Sequence, residues 1–352
     1  MKKKLTIAII IGFVSLIAGL ILAGIGFFTG GVTRLEEVAA PTKVHKTFTD
    51  LNTIKIDFIP HSVYIKESSD SNYHVTYANS DNNMQSPLKL AEKGGTLTLS
   101  SQQESFAIEG IMQYLGERLA QRDIDVNSVT IEIPKGKTLD KLEGEGLHFY
   151  EYGSFVIENV HIKEVDLSAG IFLDNAQIDS GKITAGYFEA VNSALRNTSI
   201  SANESSVNLI ETSLENVTIE SYSQLDSRQT TLLGDNRFTP SDTYSSTTFL
   251  DVTDKSLADS NLLITNQIDK KKLVEAQGYY YEDGNDLGEM VNQDPYLKER
   301  LGEVGIFTSD KYTKFPVKTE NDLQTLTLEN KGSKNKLTIE ATNATINLGT
   351  PK

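Results

Sequence analysis

The sequence predicts an all-β protein in which a single-pass N-terminal membrane helix is followed by a short-rung parallel β-solenoid with helical insertions. Three observations predict it. Leu5 to Phe28 is a run of 24 residues without a charge, short segments from Ile54 onward alternate apolar and polar residues, and similar pieces of 16 to 19 residues recur between Phe155 and Tyr222.

At about 1.5 Å per residue the uncharged run is long enough to cross a hydrocarbon core of roughly 30 Å. Lys2, Lys3 and Lys4 precede it, whereas only Arg34 follows closely, beside Glu36 and Glu37. The positive-inside rule therefore puts the N-terminus in the cytoplasm and the rest of the chain outside. A cleaved secretory signal would have a shorter apolar region and a small-x-small site, so an uncleaved signal anchor is expected. Ala8, Gly12, Ser15, Gly19, Ala23, Gly26 and Gly30 recur on one stripe of this helix. Gly12, Ser15, Gly19 and Ala23 are thus candidates for packing against another membrane helix, although small residues are common in membrane helices in any case.

The expected organisation is a cytoplasmic tail at 1–4, the anchor at 5–28, a tether at 29–46 and the solenoid at 47–268. An acidic, tyrosine-rich insertion follows at 269–316, and terminal strands at 317–352. Strands are read at Ile54, Ile56 and Phe58, at Val63 and Ile65, at Tyr73, Val75 and Tyr77, at Leu97 and Leu99, and at Val129, Ile131 and Ile133. Each shows the period-two pattern of a half-buried strand, with Pro87 and Gly94-Gly95 as turns.

The repeats begin at Phe155, Ile171, Tyr187 and Glu204, with Asn159, Asn175 and Asn192 in one register and Gly170, Gly186 and Asn203 in another. Such units cannot bury an apolar side alone and must stack, which aligns like residues into ladders and lets asparagine amides bond from turn to turn. An antiparallel sandwich is the alternative reading. Two stretches break the pattern. Ile108, Ile111, Met112, Leu115 and Leu119 predict an amphipathic helix near 106–121, covering an end of the coil or lying on the membrane. Within 269–316, short helices are expected around Lys271 to Gln277 and Pro295 to Gly302.

The chemistry is constrained by absences of residue types. There is no cysteine, which removes disulfides, thiolate nucleophiles and lipidated-cysteine anchors. With 33 basic and 48 acidic residues the net charge is -15, and setting aside the three cytoplasmic lysines leaves -18 outside, which argues against nucleic acid as a partner. The five histidines are scattered without a catalytic or metal-binding motif and read as surface or strand-edge residues. Glu158 and Asp174 recur in register, but Ala190 ends the series, so polysaccharide cleavage is not expected. Asp283, Asn285 and Gly288 fit a calcium loop, yet Leu287 occupies a ligand position and Asp294 stands where glutamate is needed, which favours an ordinary acidic turn. No cofactor or metal is expected. Glu282, Asp283, Asp286 and Glu289 form an acidic cluster that could receive a cationic peptide. The C-terminal residues from Ile346 to Lys352 carry no wall-sorting motif, so the N-terminal helix is expected to be the anchor.

Phe48 to Ser68, the GGTLTLSS piece at Gly94 to Ser101, Ser128 to Gly146 and the following repeats resemble the bacterial β-strand-repeat family known as "putative adhesin", a domain of unknown function. Its members include LiaG-like membrane-anchored proteins of envelope-stress operons and LiaX-like peptide sensors. The resemblance implies no catalytic residues. The Gly-Asp turns usual in the family are mostly Ala-Gly or Ala-Asn here. Together, anchor, acidity and resemblance imply a non-enzymatic extracytoplasmic interaction scaffold in cell-envelope stress, fitting a Gram-positive envelope, with another envelope or membrane protein as partner. A surface adhesin or glycan-binding protein is the alternative, and an enzyme acting on wall polymer a distant third.

Overall fold

In a computed structural model, residues 2–79, 87–101, 119, 125–146, 154–241, 244–250, 257, 259–276, 294–309 and 316–349 are described. The chain divides into two units, one formed by 1–45, 76–88 and 102–128 and the other by 46–75, 89–101 and 129–352.

In the first unit a 27-residue helix, Lys2–Phe28, is followed by a second helix, Gly31–Ala39. Gly30 separates them in the left-handed region at φ 83°, which ends the first helix without steric cost. The segment expected to be a structureless tether thus carries a helix and the start of the strand Thr42–Phe48, a difference that the short, mixed-polarity sequence concealed. Later in this unit the Asn79 side chain bonds to both the amide and the carbonyl of Leu88.

The second unit is a coil of parallel strands in three columns. One column runs in spatial order through Thr96–Ser101, Thr53–Asp57, Thr138–Glu145, the first half of His161–Asp174, the first half of Gly181–Val191, Thr198–Ser201, Thr218–Tyr222 and Asp235–Pro240. The second runs through Ser62–Glu67, Phe155–Glu158, the second halves of the two long strands, Ser206–Ile210, Gln224–Arg228, Ser246–Leu250, Thr345–Leu348 and Gly305–Thr308. Between them lies a narrow column of Gln177–Ile178, Ala194–Arg196, Ser213–Glu215 and Thr231–Leu233. Each repeat therefore carries three strand segments, not the two expected, because pieces of two or three residues leave no alternation to read.

Stacking puts like residues over like. Leu167, Ile183, Ile200, Ile219 and Phe238 follow one another in register, all but unexposed, and continue into Ile339 and Ile264. Burying each such side chain is worth about 1.5–3 kcal/mol, realised only when the neighbouring turn is present. Leu173 lies over Ile157 and under Ala190.

The corners are built from left-handed residues. Asn159, Asn175, Asn192, Glu211 and Gln229 all have φ between 48° and 56°. The amides of the first four bond to the carbonyls of Asp174, Val191, Ile210 and Arg228 at 2.9–3.0 Å, so the ladder continues through the corner. Asn175 also donates its side chain to Asn159 at 2.7 Å. A second corner, not anticipated, stacks Asn197, Asn216 and Gly234, with Asn216 donating to Asn197 at 3.2 Å.

A bulge alters the expected register. Ala169 pairs with Ala185 but Gly170 pairs with Tyr187, so Gly186 is the extra residue and does not face Gly170. The third repeat places Phe188, not Tyr187, over Ile171, and Asp174 lies beside Val191 where Ala190 was expected. An extra residue shifts everything after it by one, which inspection of aligned repeats does not detect.

Both ends of the coil depart from chain order. Thr53–Asp57 sits between Thr96–Ser101 and Thr138–Glu145. At the other end, Asn335–Thr342 sits between Asp235–Pro240 and Ser260–Gln267, all parallel. Leu323–Leu328 and Val317–Glu320 then close that column as antiparallel strands. Antiparallel strands end the stacking register and so blunt an edge that would otherwise invite further pairing.

The helices Lys270–Ala276 and Pro295–Glu303 lie where short helices were expected. Asp294, read as the poor last position of a calcium loop, is instead the cap of the second, accepting from the amides of Tyr296 and Leu297, with Pro295 at the first helical position.

Candidate functional site

Besides two larger cavities of about 480 Å³ elsewhere among the described residues, a polar cavity of about 310 Å³ lies on the coil. The Pro134–Gly136 turn and the corner residues Asn159 and Asn175 form two of its sides, with Thr138, His161 and Gln177 between them. The fold brings these together because 138–139, 161–162 and 177–178 are successive rungs of the narrow column, so residues 16 to 23 apart in sequence stand side by side.

His161 links the rungs. Its Nδ1 lies 3.1 Å from Thr138 Oγ1 and its Nε2 2.7 Å from Asp179 Oδ2. Gln177 donates to Asp179 Oδ1 at 2.9 Å, and Arg196 reaches the same oxygen at 3.4 Å while donating to Glu215 at 3.1 Å. Partial burial pushes the Asp179 carboxyl up, but the bonds from Gln177 and His161 together with the nearby Arg196 outweigh it and hold the group below the ordinary carboxylate value. On the rim Glu67 pairs with Lys135 at 3.4 Å.

This arrangement can hold a small polar ligand by hydrogen bonds to side chains that are already fixed. Its lining carboxylate, Glu67, is paired with Lys135, and Asp179 behind the cavity is engaged by His161, Gln177 and Arg196. No three of His, Asp and Glu converge on a metal position among the described residues. Elsewhere on the coil, Lys141 spans Glu143 at 2.6 Å and Glu164 at 3.1 Å, and those bonds raise its ammonium above the usual lysine range.

Glu282, Asp283, Asp286 and Glu289 lie outside the described residues, as does the helix expected near 106–121 apart from Leu119. Gly12 and Gly19 have open space where a side chain would stand, and Ser15 and Ala23 lie on the same helix. Of the histidines, His61 is a correction: it is 3 % exposed, not a surface residue. His161 joins the cavity, a role no motif announced, although its 16-residue offset from Gln177 was a usable signal once the repeat was known.

A family model described as Toastrack DUF4097 matches residues 51–232. Among curated proteins none matches the chain. Among solved structures the chain is similar to a "putative cell adhesion protein" from Clostridium sporogenes, at 12 % identity over 88 % of this chain and 100 % of that one, with a TM-score of 0.26. It is also similar to a "putative adhesin" from Bacteroides fragilis, at 17 % identity over 59 % and 91 %, TM-score 0.24. A third, a "putative adhesin" from Parabacteroides merdae, shows 12 % identity over 60 % and 88 %, TM-score 0.33.

Proposed function

The chain belongs to the Toastrack DUF4097 family, and from that premise we propose that it is a non-enzymatic interaction scaffold, held at a membrane by its N-terminal helix and presenting the coil on the extracytoplasmic side. The observation that carries this reading is the helix itself. Ile9–Phe28 is apolar enough to cross a membrane and none of it is buried against the rest of the chain, with Ile9, Phe13 and Leu16 each about 60 % exposed. Such a surface is costly in water and needs lipid or another membrane helix. The lysines before it support a cytoplasmic N-terminus.

The process served is cell-envelope stress sensing or its regulation, with another envelope or membrane protein as partner, a reading that the LiaG-like resemblance supports. Crosslinking the intact protein in cells with and without a wall-active antibiotic tests it. A partner whose capture changes with the drug is expected, and capture of the same proteins in both states would reject the stress role. A second reading, a surface adhesin or glycan-binding protein, is favoured by the polar cavity on the coil.

A further inference from the structure

We propose that the cavity between the Pro134–Gly136 turn and the Asn159–Asn175 corner binds one neutral pyranose residue of a cell-surface glycan. Its volume, about 310 Å³, is at the small end of ligand pockets and suits a single ring with part of its neighbour. Its chemistry is that of hydroxyl recognition. Asn159, Asn175 and Gln177 each carry an amide that both donates and accepts, and Thr138 adds a hydroxyl, so a ligand whose every polar group also donates and accepts is matched without any group having to ionise. Pro134 and Val160 supply apolar atoms against which the C–H face of a ring can lie.

Charge narrows the class. A phosphate or carboxylate would meet Glu67, with Asp179 behind His161 and Gln177, while a cation would meet Lys137 on the same rim. With both signs present and Asp179 already bonded to His161, Gln177 and Arg196, neither kind of ion finds a field of opposite sign. The polar groups are also set before a ligand arrives. Asn175 is fixed to Asn159 at 2.7 Å, Gln177 to Asp179 at 2.9 Å, and His161 between Thr138 and Asp179, so little side-chain freedom remains to be lost on binding. Because the two asparagines occupy adjacent turns, about 4.8 Å apart, the site has an axis along the coil, which favours a ring within an extended chain.

This inference rests on and deepens the second, glycan-binding reading, and uses the scaffold reading only in placing the coil where glycans are found. The test is calorimetric titration of the full chain in lipid nanodiscs with an N-acetylglucosamine tetramer, cellotetraose and poly(glycerol phosphate), at 0.1 M and 1 M salt. The expected result is saturable binding of at least one neutral tetramer that is indifferent to salt and falls at least tenfold in Gln177→Ala and Thr138→Val, with unchanged thermal melting. Preference for the acetamido sugar would point to wall glycan as the source, preference for cellotetraose to another surface polysaccharide. Absence of binding overturns the proposal, as does binding that neither substitution weakens or binding of the polyanion alone. Should either variant melt early, the rim substitution Lys137→Ala, at an exposed position, serves with it as the control for position. Sugar binding without drug-dependent crosslinking would retire the stress reading and leave this one standing, and the converse would do the opposite.

Discussion

Asn175 donates its side-chain amide to Asn159 across 2.7 Å, one turn of the coil away, while both residues hold the backbone in the left-handed region. An ordinary L-residue pays roughly 1–2 kcal/mol for that conformation, which glycine escapes. Asn175→Ala loses the bond and incurs the strain, whereas Asn175→Gly loses only the bond. The alanine variant should therefore be less stable than the glycine variant by about 1 kcal/mol in denaturant unfolding. Equal stabilities would mean the corner does not depend on left-handed backbone.

Leu173 is 2 % exposed and lies over Ile157. Leu173→Asp places an unpaired charge in a thin core, costing several kcal/mol, and should raise hydrogen exchange in the flanking strands Phe155–Glu158 and Gly181–Val191 as well as its own. Exchange confined to the mutated strand would contradict the stacking energetics.

Asn266 is fully buried, donating to the Ala344 carbonyl at 2.7 Å and accepting from its amide at 3.2 Å. Asn266→Ala leaves the buried Ala344 amide unpaired at about 1–3 kcal/mol, while the Ala344 carbonyl keeps its bond from the Gly305 amide. Faster amide exchange at Ala344 and in Thr345–Leu348 is the expected readout.

The depressed Asp179 carboxyl has a worked sign. A group whose folded pKa lies below its unfolded value stabilises the fold above that unfolded value, ordinarily 3.8, and the contribution fades as pH falls through the lower, folded one. The stability difference between the parent and Asp179→Asn should be present at pH 5 and shrink below about pH 4. A difference that grows on acidification would reverse the assignment.

Topology is tested on cells stripped of wall. With the lysines inside, added protease should digest the protein beyond about Arg34. A protected coil would place it in the cytoplasm and undo the scaffold reading.

Much of the coil was legible because its signals are local. The alternation at Ile54 to Ile65 and the recurrence of Asn159, Asn175 and Asn192 read directly as strands and a side-chain ladder, and Pro295 announced a helix start. The cavity was not legible, since His161, Gln177 and Asp179 meet only through stacking of two-residue strands that carry no pattern. The second corner was detectable in principle, as Asn197, Asn216 and Gly234 recur at steps of 19 and 18. The bulge at Gly186 was not, because one residue inserted between repeats leaves each repeat intact. Nor could alternation reveal that Asn335–Thr342 pairs with a strand about a hundred residues earlier: periodicity reports which face is buried, not which neighbour buries it.

The placement of Asn335–Thr342 between Asp235–Pro240 and Ser260–Gln267 makes assembly depend on the order in which the chain emerges. Ser260–Gln267 leaves the ribosome well before the strand that must separate it from the body of the coil. Until then its parallel edge stays unpaired or peels away from a premature position, while Leu323–Leu328 can already pair its other edge, and closing the loop between Gly234 and Asn335 costs roughly 4 kcal/mol in chain entropy. The far end of the coil is therefore open to proteases and chaperones throughout synthesis and shuts in one late step. A chain interrupted anywhere before residue 335 would lack an interior layer, not merely a tip, and would present two unsatisfied edges to quality control.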